Sequence, residues 1–128
     1  MLDTVRGELR IIAEHRKVAR GELRTQIMRI EARWADLAAW LSEDTGDSRA
    51  RKAWTDHALQ LATEAGYADM IAFAKSRQSK LASDPRRAVA YAEDALSVPG
   101  ASAQTRAWCA RYAAIGHALA GDAATCDA

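Results

Sequence analysis

Residues 83–100 read SDPRRAVAYAEDALSVPG, and this stretch sets the fold class. Asp84 followed by Pro85 is a helix start. A carboxylate at the cap accepts from the orphan N–H groups of the first turn, and proline at the next position lacks an N–H that would go unused anyway. Ala88, Ala92, Ala95 and Leu96 then recur at helical spacing, and Val98-Pro99-Gly100 closes the segment. The same punctuation extends outward in both directions. Towards the C-terminus, Ser102 caps a helix carrying Trp108, Tyr112, Ile115 and Leu119, and Gly121-Asp122 repeats the stop and start. Towards the N-terminus, a helix carries Met70, Ile71, Phe73, Ala74 and Leu81. Before it, Asp47 opens a helix whose buried face is read as Trp54, Ala58, Leu61, Ala62 and Ala65, with Gly66 ending it.

Two further helices precede these. Asp3 is read as the cap of the first, which runs through about Arg16 with Leu2, Val5, Leu9 and Ile12 on one face. Arg20-Gly21 marks a turn. The second carries Leu23, Ile27, Ile30, Trp34, Leu37 and Leu41 at spacings of 4, 3, 4, 3 and 4, then stops at Thr45-Gly46. That heptad-like stripe predicts a helix packed nearly parallel or antiparallel to a neighbour. Of the 128 residues, 30 are alanine, the strongest helix former and one small enough to let helices approach closely. No β-branched run alternates as a half-buried strand would. The expectation is an all-α chain of six main helices stacked as successive antiparallel pairs. At 128 residues it fits a single helical-repeat domain.

The helix-opening acids Asp47, Asp84 and Asp122 each follow a small residue and stand 37 and 38 residues apart (84 − 47 and 122 − 84). Helix pairs recurring at such a period are the mark of α-solenoids. Gly46 to Leu59, GDSRARKAWTDHAL, resembles the turn and second helix of a tetratricopeptide (TPR) repeat. Ser83 to Leu96, SDPRRAVAYAEDAL, fits better, with Ala88 and Ala95 seven apart and Pro99 just beyond. Arg51 and Thr55 depart from the motif, and the first helices lack its Trp-Leu-Gly-Tyr pattern. The resemblance implies a TPR-like α-α superhelix of about three helix pairs. Residues 1–24 form an N-terminal helix and turn, residues 25–128 the repeats, and the last copy breaks off at Cys126-Asp127-Ala128.

A wider resemblance is carried by residues 32–96, ARWADLAAWLSEDTGDSRARKAWTDHALQLATEAGYADMIAFAKSRQSKLASDPRRAVAYAEDAL, and spans roughly residues 25–128, with weaker likeness before that. This stretch resembles the C-terminal helical-repeat region of actinobacterial helix-turn-helix transcriptional regulators. In that family the repeats follow a DNA-binding domain and sense ligands or make protein contacts. There is no room for a helix-turn-helix ahead of Leu2, so the chain is expected to be either an excised domain or a stand-alone relative. Direct nucleic-acid binding does not carry over.

Composition narrows the function classes. With 18 Lys+Arg against 17 Asp+Glu the net charge is +1, without the basic excess of a broad phosphate-binding surface. The local run Arg16, Lys17, Arg20 and Arg24 is read as a solvated helix end. No apolar stretch reaches the roughly 18 residues of a membrane span, and no leader pattern opens the chain. Cys109 and Cys126 make neither a CxxC pair nor a disulfide framework, so reduced cytoplasm is expected.

His15, His57 and His117 lie far apart with no metal-ligand spacing, and no nucleophile elbow or Gly-rich phosphate loop is present. No enzyme activity, metal or cofactor is expected. His57, beside Asp56, is read as solvated. His117 is read as favouring its helix's negative end, and Cys109 as buried. Glu43, Asp44 and Asp47 read as a helix end running into a cap, and Trp34 and Trp54 as core.

In a TPR-like array the first helix of each pair lines a concave groove. The positions expected there are Arg33, Asp36, Trp40 and Glu43 on the second helix, Met70, Phe73, Arg77 and Lys80 on the fourth, and Trp108, Arg111 and Ile115 on the sixth. Arginines fork onto carboxylates while aromatic rings stack apolar parts, a composition suited to a peptide, protein or small-molecule effector. The competing reading pairs Arg77 and Arg111 with Asp36 or Glu43 across helices. A homodimer covering the sixth helix or the stripe on the second is also expected, and an oligomerisation element without a ligand of its own is the alternative function.

Overall fold

A computed structural model of the chain describes residues 1–119. Six α-helices make up the described residues: α1 (Leu2–Val18), α2 (Gly21–Asp44), α3 (Ser48–Ala65), α4 (Ala68–Leu81), α5 (Pro85–Leu96) and α6 (Ala103–Leu119). No strand occurs among them. The all-α expectation holds, while the third helix-opening acid, Asp122, and Cys126 lie outside the described residues.

The caps follow the sequence closely. The Asp47 side chain accepts from the Ala50 N–H at 3.0 Å, and Asp84 accepts from the Arg86 N–H at 3.0 Å with Pro85 in the first turn. Ser102 Oγ accepts from the Thr105 N–H at 3.2 Å. Gly46 and Gly66 take φ of +76° and +63°, a region that strains any side chain. Around Gly46 the Asp47 N–H reaches the Ser42 carbonyl and the Gly46 N–H that of Glu43, each at 3.0 Å. The same pair of bonds recurs around Gly66, from Tyr67 to Ala62 and from Gly66 to Thr63. Both ends are Schellman closures.

The first helix differs from expectation. It starts at Leu2 and runs to Val18, and Met1 occupies the cap position with no side-chain bond. Asp3 instead lies in the first turn, where its charge complements the helix dipole.

Two compact units are present. The first, Met1–Met70, holds α1, α2, α3 and the start of α4; the second begins at Ile71. In the first, α2 packs against both α1 and α3. Val5 and Leu9 from α1, Ala35 and Ala38 from α2, and Ala58 from α3 form its core. Leu2, Trp34, Leu37, Leu41 and Trp54 pack around it half-buried, as the core reading of the two tryptophans requires.

The heptad-like stripe is not the deepest face of α2, which corrects the expectation. Met28, Glu31, Ala32, Ala35, Ala38, Ala39 and Ser42 are buried, whereas Leu23 and Ile30 are exposed. Four alanines with no exposed surface leave room for close helix approach, so the small-residue face turns inward and the bulky stripe lies at the border.

In the second unit α5 packs on α6. Ser79 Oγ of α4 donates to the Ala88 carbonyl of α5 at 2.6 Å, and Ser76 Oγ of α4 donates to Cys109 Sγ of α6 at 3.1 Å. Cys109 is buried, as expected. On α6, Thr105, Cys109 and Ala113 are buried, while Trp108 and Ile115 are exposed and Tyr112 is half-buried. Small side chains again take the inner face. No helix among the described residues is long and apolar enough to cross a membrane.

Candidate functional site

A cleft of about 350 Å³ opens on the first unit, lined by α1, α2 and α3. From α1 it takes Arg6, Leu9, Arg10, Ala13 and Arg16, which lie along one broad side of the helix. From α2 comes Glu31, and from α3 Trp54 and His57.

Glu31 organises the site. Its side chain is only 1% exposed, on the buried side of α2. A buried carboxylate is costly unless paired and hydrogen-bonded. Arg16 Nε donates to Oε1 at 2.6 Å, and His57 Nε2 lies 3.4 Å from Oε2. Trp54 in turn meets the His57 ring edge-on, with centroids 6.0 Å apart. Both carboxylate oxygens are engaged, and each partner is held on a different helix.

Arg16 spends a single donor on this bond. Guanidinium carries five, and the terminal Nη groups of Arg16 make no bond among the described residues. Arg6 and Arg10 are exposed and form no ion pair among the described residues; Glu14, one turn beyond Arg10, pairs with Lys17 at 3.1 Å. Three arginines against one carboxylate leave the cleft with excess positive charge.

His57 keeps 37% of its side chain exposed, in line with the solvated reading, and also faces the buried Glu31 and Trp54. Asp56 pairs with Lys52 at 2.9 Å. Arg16 is not part of a merely solvated run, because the carboxylate of Glu31 fixes it.

The residues expected in the groove have varied surroundings. On α2, Arg33 is exposed and flanks a shallow depression of about 280 Å³ with Ile30, Trp34 and Leu37. Trp40 is exposed, Asp36 is half-buried, and Glu43 lies 3.6 Å from Arg51 Nη1. On α4, Met70 is buried, Arg77 is half-buried and Lys80 is exposed. Phe73 meets Trp108 edge-on at 5.1 Å, and Trp108 lies 4.2 Å from the Tyr112 ring. Arg111 and Ile115 are exposed on α6. The structure thus brings Phe73, Trp108 and Tyr112 together as one aromatic cluster of the second unit.

The cleft residues Arg6, Arg10, Arg16, Glu31 and His57 were not among the expected site residues. A signal for them exists in the sequence. Met28, Ala32, Ala35, Ala39 and Ser42 mark one face of the helix at helical spacing, and Glu31 lies at its edge, as Glu43 does on the other side. Among the described residues no group of three or more His, Cys, Asp or Glu side chains is placed to hold a metal. No family model, curated protein or solved structure matches the chain.

Proposed function

We propose that the chain is a non-catalytic, TPR-like binding module, the effector-sensing or protein-contact domain of a transcriptional regulator. The cleft on the first unit carries this reading. A core in need of stability alone does as well or better with an apolar residue in place of a buried ion pair. Here a carboxylate at position 31 fixes Arg16 and His57 at the wall of an open cleft, a use suited to recognition. The lining offers charge and an apolar wall, the two ingredients of a small-ligand pocket. The two caps at Asp47 and Asp84, with short connections between helices, support the repeat character. The regulator context rests on the resemblance of residues 32–96.

The test is a thermal-shift screen of the full chain against mixed metabolites and peptides, with mass spectrometry of each compound before and after. A ligand at a hundredfold excess over its Kd stabilises by about 2.7 kcal/mol. The expected result is a ligand that raises Tm and is recovered unchanged. Turnover of that ligand, or a screen in which nothing raises Tm, contradicts the reading.

A second reading has its own observation. Leu23 and Ile30 are 59% and 50% exposed on α2, on the stripe expected to face another helix. Apolar side chains so placed suit a homodimer contact. Sedimentation across a concentration series should then show association that Leu23→Asp with Ile30→Asp abolishes. A wild-type chain that stays monomeric at high concentration eliminates this reading.

A further inference from the structure

We propose that the α1–α3 cleft binds a small organic anion, a carboxylate or phosphate carried on a flat apolar body. This assignment rests on the binding-module reading and names the ligand chemistry it would take.

The charge comes first. Arg6 and Arg10 stand one turn apart on α1 and project from the face that lines the cleft. Neither is neutralised by an ion pair among the described residues. Arg16 follows on the same broad side, with Nε committed to Glu31 and the Nη groups uncommitted. Because Glu31 is buried and held on both oxygens, it compensates Arg16 and leaves the charges of Arg6 and Arg10 unmatched. Planar guanidinium groups bind carboxylate and phosphate oxygens through paired N–H donors, which favours these anions over a simple halide.

The body of the ligand comes second. The apolar part of the wall is Trp54 and Leu9, and Trp54 is held by its edge contact with His57. An indole held in place presents a surface for stacking a ring. A volume near 350 Å³ lies at the lower end of ligand pockets, so the occupant is a small molecule rather than a chain segment. A neutral ring would leave the arginines unused, and a cation would meet their repulsion.

Isothermal titration of the full chain with four probes of similar size tests this: phenyl phosphate, benzoate, phenol and benzylammonium. Phenyl phosphate, benzoate or both should bind, with phenol and benzylammonium at least tenfold weaker; the stronger of the two anions identifies the acid group. Arg6→Gln and Arg10→Gln should each weaken binding by about tenfold, since these side chains are exposed and their loss leaves the fold intact by circular dichroism. Arg10→Lys should recover part of the loss, and Arg49→Gln, exposed on α3 outside the cleft, should change nothing.

Equal binding of phenol, or anion binding indifferent to Arg6 and Arg10, overturns the anion site and leaves the binding-module reading standing. If all four probes fail while the thermal-shift screen yields another ligand, the ligand class is wrong and the module reading survives. Failure of both experiments removes both.

Discussion

The two units bury different kinds of polar group. In the first, Ser42 and Thr55 satisfy themselves by donating to carbonyls one turn back, at 2.8 and 2.9 Å, while Glu31 brings a full charge into the interior. In the second, the buried polar groups among the described residues are neutral and small: Ser76, Ser79 and Thr105, with the Cys109 thiol beside them. Ser76 and Ser79 use their hydroxyls to tie α4 to α6 and α5. Neutral hydroxyls add a modest increment to packing. A buried charge adds little net stability yet creates a fixed field at the surface above it. On the proposed reading, recognition belongs to the first unit and packing to the second.

The largest expected effect breaks this contrast directly. Removing one partner from a buried ion pair typically costs about 3 to 5 kcal/mol, but Arg16 is 23% exposed and can turn partly to water. Glu31→Ala is therefore expected to cost roughly 2 to 3 kcal/mol, measured by denaturant unfolding. The double variant Glu31→Met with Arg16→Met sharpens the point. Replacing the whole pair with apolar side chains should cost less than Glu31→Ala alone, while abolishing anion binding. A double variant as unstable as the single one would mean that Glu31 serves the fold through some other contact.

Next in size come the caps, one on α3 in the first unit and one on α5 in the second. Asp47→Ala and Asp84→Ala should each cost about 1 kcal/mol, the usual loss at an N-cap. Thermal melts that show no change for either would remove the capping account of the 37-residue spacing. The smallest effect belongs to the second unit. Ser76→Ala loses one hydroxyl donated to a sulfur, a weak acceptor, and should cost no more than about 0.5 kcal/mol. A loss as large as that of Glu31→Ala would erase the distinction between the units.

How much was legible in the sequence follows the range of the forces involved. Helix starts at Asp47, Asp84 and Ser102 and stops at Gly46 and Gly66 depend on residues within one turn, and the structure makes each of those bonds. Which face turns inward depends on what lies opposite. On α2 the bulky stripe gave a strong hydrophobic signal, yet Ala32, Ala35, Ala38 and Ala39 took the interior because small side chains allow closer helix contact. On α6 small side chains also lie inside, with Cys109 and Ala113 buried and Trp108 exposed. The cleft depended on contacts between residues 15 and 26 positions apart, Arg16 to Glu31 and His57 to Glu31. Nothing in the neighbourhood of His57 along the chain distinguishes a wall residue from the solvated partner of Asp56. Glu31 borders the alanine face, but so does Glu43, and packing buries only the former.

Recognition in the first unit is the central claim, and the chemical shifts of the full chain titrated with the tighter-binding of phenyl phosphate and benzoate test it most directly. The expected perturbations fall on the backbone amides from Arg6 to Arg16 and on the indole N–H of Trp54, assigned through Trp54→Phe, with saturation at a single Kd. The amides of α5 and α6 should not move. Perturbations centred on Phe73, Trp108 and Tyr112 instead, with α1 unmoved, would contradict the account and place recognition in the second unit.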